Sequence, residues 1–367
     1  MFDWLQRLFS SSPPQHTPAP PAPVARPAAS AAASAVTTPA AAVFAVPPLA
    51  EAASAGPSFD QRDGIDHEYA SWLFDHKDNG ALELNLLERN VLAALDTLVK
   101  SPESGADQVR RLPRVIPEIL QALRSENFSG SKISARIASD AVLVAAVISM
   151  ANSTLAPGGR AIGSVEQAVI AIGQQGLREL IMKVAFRPII DLKSGPFTRG
   201  LAPRVWDQTE RCALANRLLA DTFGVPPFDA FLAGLMQNVG LMVALRTMDQ
   251  VAGHNKVLGT PLFYTLLMRH ARQLSINIGR VWGMPEAVLD AIGEQLAYHK
   301  QAELTPLGQL LALSDYLSKA RQLADHNRLG RLAATLFDAL PALARPSFTQ
   351  LLSSEQIDPG GVFHPVQ

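Results

Sequence analysis

Apolar residues recur at intervals of three and four from Ile65 almost to the end of the chain. Val91, Leu95, Leu98 and Val99 form one such stripe, and Ile116, Ile119, Leu120 and Leu123 another. That spacing puts side chains on one face of an α-helix and lacks the alternation of a half-buried strand. No run rich in Val, Ile, Thr and aromatic residues is bounded by turn residues on both sides, as a sheet would require. The pattern predicts an all-α fold. Pro102, Pro113 and Pro117 punctuate it, Pro117 at a position that a first helical turn tolerates. Two packed helical sub-blocks are expected, short helices between loops over residues 110–200 and longer helices over 201–319. A helical extension at 61–109 precedes them, and a C-terminal helix and loose tail at 320–367 follow.

Local signals mark some helix starts. Asp140 is placed to cap the apolar helix at 141–151, because its side chain can accept from backbone N–H groups that have no partner in the first turn. Ser164 caps the next helix, with Gln167 three residues on completing a capping box. Between these caps lies a Gly/Pro loop containing Gly158, Gly159 and Gly163. It lacks the Lys-Ser/Thr pair of a phosphate-binding loop and no strand precedes it, so its glycines read as chain-reversal positions of positive φ.

Composition changes the picture at the N-terminus. Residues 10–60 are built from Ala, Pro and Ser, with only Arg26, Glu51 and Asp60 charged. Such a segment cannot bury enough large apolar surface to offset its ordering entropy, and is read as a disordered, partly polyproline-like tether. Its Ala-rich part is interrupted by Pro39, Pro47 and Pro48, which argues against a membrane span. The first ten residues show no apolar signal-peptide core, so a cytoplasmic protein without a transmembrane segment is expected. Residues 1–9 place Phe2, Leu5, Leu8 and Phe9 at helical spacing beside Trp4. That short amphipathic segment reads as a frayed terminus, a docking peptide or a weak membrane-surface anchor.

Charge and cysteine narrow the function classes. The chain has 367 residues and carries 32 Lys plus Arg against 33 Asp plus Glu, whereas nucleic-acid binders draw affinity from a basic excess. No nucleic-acid partner is expected. Cys212 is the sole cysteine, so no intramolecular disulfide forms and a reducing compartment fits.

Several short strings together resemble the HDOD domain of bacterial signalling proteins. They are Leu112-Pro113 with Ile116-Pro117 and Leu120, then Ile137-Ala138-Ser139-Asp140, then Ser149-Met150-Ala151-Asn152-Ser153. Ile162-Gly163-Ser164-Val165-Glu166-Gln167-Ala168-Val169 follows, with Ile172-Gly173 and Leu177-Arg178. The likeness continues through Val205-Trp206, Phe231-Leu232-Ala233-Gly234-Leu235, Val239-Gly240, Ala291-Ile292, His299 and Leu313-Ser314-Asp315-Tyr316-Leu317, and so covers residues 110–319. In this resemblance Asp140, Asn152, Ser153, Ser164, Gly173, Gly234 and Gly240 are structural signature positions.

The HDOD family is similar in fold to the HD phosphohydrolases, which hold a divalent metal with a His, a His-Asp doublet and a distant Asp. Imidazole and carboxylate suit such a cation, which lowers the pKa of a bound water. On this resemblance the first ligand position falls on Gln208 and the doublet on Gln237-Asn238, while Asp315 and His299 survive. An amide oxygen replaces an imidazole nitrogen or a carboxylate at three positions, so no catalytic residue, metal or cofactor is expected. Asp315 sits in an apolar stretch, where a buried carboxylate needs hydrogen bonds or a cation, a role His299 could fill. Gln208, Gln237, Asn238, His299 and Asp315 then form either a polar network serving packing or a ligand-sensing pocket. Arg204, Arg211 and Lys300 lie close in sequence and are either phosphate contacts or ordinary solvated charge. The other histidines of the folded region, at 67, 76, 254, 270 and 326, are read as surface or rim residues.

The resemblance implies a non-enzymatic regulatory adaptor that acts through protein–protein contacts with other signalling proteins, of the kind that serve motility, stress responses and cyclic-dinucleotide signalling. The competing reading is a pseudo-phosphohydrolase that senses a nucleotide in the old cleft without hydrolysis. A rebuilt, metal-dependent hydrolase stands third.

Overall fold

A computed structural model describes residues 56–75, 83–101, 195–253, 258–296 and 303–351, with scattered positions between 134 and 186. The segment 1–9, the Ala/Pro/Ser-rich sequence as far as residue 55, Asp140, Ser153, Gly158, Gly159, His76, His254, His299, Lys300 and residues 352–367 lie outside them. Among the described residues every regular element is helical.

The elements are α1 (Phe59–Leu73), α2 (Leu86–Lys100), α3 (Pro196–Leu219), α4 (Pro227–Met236), α5 (Val239–Ala252), α6 (Pro261–Val281), α7 (Glu286–Glu294), α8 (Pro306–Asp325) and α9 (Ala344–Gln350). Helix α3 packs against α4, α5 and α8, α5 lies along α6, and α7 bridges α6 and α8. Helix α3 starts ahead of residue 201 because Pro196 occupies its first position, where a missing N–H costs nothing.

The two described helices of the extension pack into this bundle. Helix α1 lies on α8, and α2 spans α5 and α6. Helix α1 starts at Phe59, where Ser58 and Gln61 form a reciprocal capping box with bonds of 2.8 and 3.2 Å. It buries Ile65, Tyr69, Trp72 and Leu73 along one face. Asn85 and Glu88 form a second capping box at the start of α2, whose Val91, Leu92 and Leu95 are buried. Leu98 and Val99 of the same stripe are partly buried against the core.

Glu88 does more than cap its own helix. Its Oε1 accepts from the backbone N–H groups of Gly259 and Thr260 at 3.0 and 2.9 Å. Its Oε2 accepts from the Thr260 hydroxyl at 3.1 Å and from Asn85 N–H at 3.0 Å. One fully buried carboxylate therefore serves the N-terminal ends of both α2 and α6, where helix dipoles favour negative charge. Glu88→Ala strips partners from buried donors and is expected to cost about 3 kcal/mol. Glu88→Gln keeps one acceptor oxygen and should lose about half as much. Urea midpoints at unchanged slope measure both, and equal losses would refute the cap.

Pro227 to Ala252 is long and apolar enough to cross a bilayer by length and composition, yet it is almost wholly buried among its neighbours. Its helical path breaks at Gln237 and Asn238, between α4 and α5. Ser275 of α6 repairs the break, accepting from Gly240 N–H at 2.8 Å and donating to the Gln237 carbonyl at 2.9 Å. The flanking glycines are required by close approach. A Cβ on Gly234 would lie 2.5 Å from the Ala213 Cα, and one on Gly240 would lie 1.9 Å from the Ala271 carbonyl oxygen.

Two loop expectations need correction. Gly163 is not in the left-handed region; it gives its N–H to Gln167 Oε1 at 2.9 Å. Ser164 does accept from Gln167 N–H, at 3.2 Å, but the Gln167 side chain returns to Gly163 and not to Ser164. The Asn152 amide donates to the carbonyls of Ile148 and Ile162, both at 3.0 Å, and accepts from Ile162 N–H at 2.7 Å. Gly173 does take positive φ, at 71°.

Candidate functional site

Helices α1, α3, α6 and α8 converge on Asp315, with Asn238 at the α4–α5 break beside them. Asp315 is buried on α8, four residues before Lys319 on the same apolar helix. The Lys319 ammonium lies 2.6 Å from Asp315 Oδ2 and 2.6 Å from Asp66 Oδ1 of α1. Gln208 of α3 donates through Nε2 to Asp315 Oδ1 and to Ser318 Oγ, both at 2.9 Å. Asn238 in turn donates to Gln208 Oε1 at 2.5 Å and to Thr209 Oγ1 at 2.9 Å. Arg272 of α6 stands 3.8 Å from Asp315 Oδ2, and the Tyr69 ring lies under the Lys319 ammonium.

Electrostatics favour the charged forms of both partners. Burial opposes ionisation of Asp315, but the Lys319 and then the Arg272 cations outweigh it and hold the carboxyl below its ordinary range. Burial likewise opposes a charged Lys319, and Asp315 with Asp66 overcomes it and raises the ammonium above its ordinary value. The Tyr69 and Tyr264 hydroxyls are pushed up, chiefly by burial.

Of the positions taken over from the HD pattern, the structure joins Gln208, Asn238 and Asp315 in one network. Gln237 is turned aside, because residues 237 and 238 leave a helix break in different directions. Its Nε2 lies 2.9 Å from Cys212 Sγ. Burial pushes the Cys212 thiol well above its usual pKa, which makes it a poor nucleophile. The cation beside Asp315 is Lys319; His299, the imidazole considered for that role, lies outside the described residues. An ionic pair at four-residue spacing on an otherwise apolar helix is the signal that would have found it. No local signal announces Asp66, which lies 253 residues away in sequence.

Arg211 and Arg204 both engage groups of the protein itself. Arg211 is buried, so solvated charge does not describe it: its guanidinium pairs with Asp207 at 2.9 Å and Asp325 at 2.6 Å and donates to the Leu351 carbonyl. Arg204 stacks on Trp72 with 4.9 Å to the ring centroid and donates to the carbonyls of Trp72 and Leu73. A niche beside Asn238, lined by Phe186, Trp206, Thr209, Leu235, Val239 and Met242, has a volume of about 10 Å³, room for about one water molecule.

Among the described residues the donor set does not fit the divalent metal of HD hydrolases. Two carboxamides contribute weak neutral oxygens, one of them already engaged by Asn238, and the carboxylate is bonded to an ammonium at 2.6 Å. Among the described residues no group of three or more His, Cys, Asp or Glu side chains is arranged to hold a metal ion.

No protein of curated function matches the chain. Among solved structures, a candidate phosphohydrolase from Shewanella amazonensis SB2B is 22% identical, with a TM-score of 0.50 over 73% of this chain and 96% of that one. A candidate signal transduction protein from Marinobacter aquaeolei VT8 is 20% identical, with a TM-score of 0.50 over 77% of this chain and 66% of that one. An HDOD domain protein of unknown function from Geobacter sulfurreducens is 20% identical, with a TM-score of 0.49 over 73% and 92%. At such identities the likeness is one of fold. Residues 109–298, more than half of the chain, match the model of the HDOD domain, and with the helical fold and the signature glycines in their close contacts, the chain belongs to the HDOD family.

Proposed function

We propose that this protein is a non-enzymatic regulatory adaptor of the cytoplasm, which acts through contacts of its HDOD domain with other signalling proteins. The observation that carries this reading is the Lys319 ammonium, 2.6 Å from the one surviving HD carboxylate. In an HD hydrolase that carboxylate would hold a dication able to acidify water. An ammonium supplies positive charge but no open coordination position, so it neutralises Asp315 without activating a nucleophile. Gln208 and Asn238 complete the hydrogen bonding and leave the network satisfied from within.

The nucleotide-sensing alternative draws little support from the geometry. Of its three candidate phosphate contacts, Arg204 and Arg211 are committed to Trp72, Asp207 and Asp325, and Lys300 lies outside the described residues.

The full-length protein, incubated with Mn²⁺ or Mg²⁺ and passed through gel filtration, is expected to retain far less than one metal per chain by elemental mass spectrometry. It should show no phosphatase turnover. Stoichiometric metal, together with turnover abolished by Asp315→Ala, would overturn the proposal. Affinity capture beside a form lacking residues 1–55, which leaves the Ser58 cap of α1 intact, should retain the same partners, which would locate the adaptor surface on the helical domain.

A further inference from the structure

We propose that residues 352–367 dock in cis on an arginine–aromatic face built around α9, and cover that face against other acidic segments. Nothing in this docking depends on the adaptor reading.

Two successive turns fold residues 337–344 back towards α9. Leu340 N–H donates to the Phe337 carbonyl at 3.3 Å, and Ala344 N–H to the Pro341 carbonyl at 2.8 Å. The turns set the Phe337 ring edge-on against Phe348 of α9, with 5.3 Å between centroids. The Arg345 guanidinium lies over Phe337 at 4.3 Å, and that of Arg321 on α8 lies over Phe348 at 5.5 Å. Both rings and Leu340 are half-buried, and Leu343 is 49% exposed. Arg321 already has Asp325 at 3.0 Å. Arg345 is exposed and meets no carboxylate among the described residues. Stacking occupies the flat side of its guanidinium and leaves the N–H edge for a carboxylate. Aromatic rings beside arginine are the composition that carries most binding energy at interfaces.

Charge and tether select the occupant. Residues 326–351 carry three arginines against one aspartate, whereas residues 352–367 carry Glu355 and Asp358 and neither Lys nor Arg. The latter also supply Ile357, Val362, Phe363 and Val366 for the apolar part of the face. Their point of departure is fixed. Leu351 is fully buried, its N–H donates to the Phe348 carbonyl at 3.3 Å, and its carbonyl accepts from Arg211 at 3.2 Å. Arg345 lies about 9 Å from Leu351 along the axis of α9, and the four residues from Leu351 to Glu355 span at most about 14 Å. A carboxylate is thereby held within reach of the unpaired guanidinium. So short a tether gives an effective concentration on the order of mM, and docking in cis then needs only an affinity too weak to hold two separate molecules together.

A nitroxide on Gly361→Cys in the full-length chain tests this, since Cys212 is buried and does not compete for the label. At about 0.05 M salt, where exposed charges are little screened, an immobilised component should make up at least about half of the spectrum and be independent of protein concentration. Arg345→Glu should lower the docking constant about fivefold. Arg89→Glu, an exposed reversal on α2, should leave it unchanged. Glu355→Arg/Asp358→Arg, added to Arg345→Glu, should recover most of the loss. A wholly mobile label, or an immobilised component indifferent to Arg345→Glu or not recovered by the charge exchange, would overturn the proposal. So would a component that grows with protein concentration, which would place the segment on a second copy.

Discussion

Lys319→Met is expected to destabilise the protein by about 3–5 kcal/mol, because it removes the cation from a buried ion pair and leaves the carboxylate behind. In the native protein Asp315 is neutralised at 2.6 Å by Lys319, with Arg272 more distant at 3.8 Å. Without Lys319 the carboxylate keeps the Gln208 amide at 2.9 Å, but most of the compensation for burial is gone.

The loss carries a pH signature. In the wild type Asp315 is depressed by Lys319 and Arg272 against the opposing effect of burial. Its contribution is therefore present above the unfolded carboxylate value of about 3.9 and is lost as pH falls through the lower folded value. Lys319 is raised by Asp315 and Asp66. Its contribution is complete below the unfolded value of about 10.4 and is lost as pH rises through the higher folded value. The pair thus stabilises the fold at least between about pH 4 and pH 10. In Lys319→Met burial dominates and pushes the Asp315 carboxyl up, which reverses the sign. Protonation then relieves the buried charge, and the deficit against wild type should shrink as pH falls from 7 towards about 4.

Urea midpoints at both pH values read this, and a deficit independent of pH would sink the account. The double variant Lys319→Met/Asp315→Leu supplies a second reading. It replaces an ion pair by apolar groups, a change that is often neutral, and Gln208 retains Ser318 as a partner. It should recover most of the loss, and a double variant no more stable than the single one would show that packing and not charge sets the cost.

Gly240→Ala is expected to cost about 4 kcal/mol, of which about 3 comes from overpacking and about 1 from a lost bridge. The added methyl would meet the Ala271 carbonyl oxygen at 1.9 Å and the Ser275 nitrogen at 2.6 Å, both backbone atoms of α6. Neither can rotate away, so α5 and α6 must separate. Separation also breaks the Ser275 hydroxyl bridge that spans the helix break. Ser275→Ala isolates that second effect, since it removes the hydroxyl without forcing the helices apart, and should cost about 1–2 kcal/mol. Equal losses for the two variants, by thermal or urea denaturation, would eliminate the clash as the reason for the glycine.

The all-α class and the family were legible in the chain because each rests on local order. A stripe repeating at three and four depends only on helical pitch, and Gln208, Asn238 and Asp315 are read one position at a time. Gly234 and Gly240 were visible as signature residues, but the reason for them was not, since Ala213 and Ala271 approach only after the helices pack. The same holds for Arg211, whose partners Asp207 and Asp325 lie on two different helices.

The character of the site belongs to tertiary structure. Asp315 and Lys319 share a helix at a spacing the sequence displays, yet what that pair means depends on Asp66, brought in from α1 across 253 residues. Gln237 and Asn238 are chemically alike neighbours, and only the backbone break between α4 and α5 sends one to Cys212 and the other to Gln208. Which stretches form helices can be read from the chain alone, since helical pitch is local. Tertiary packing alone decided that an ammonium sits against the surviving carboxylate and that the extension closes over it, because burial and charge pairing depend on which helices meet.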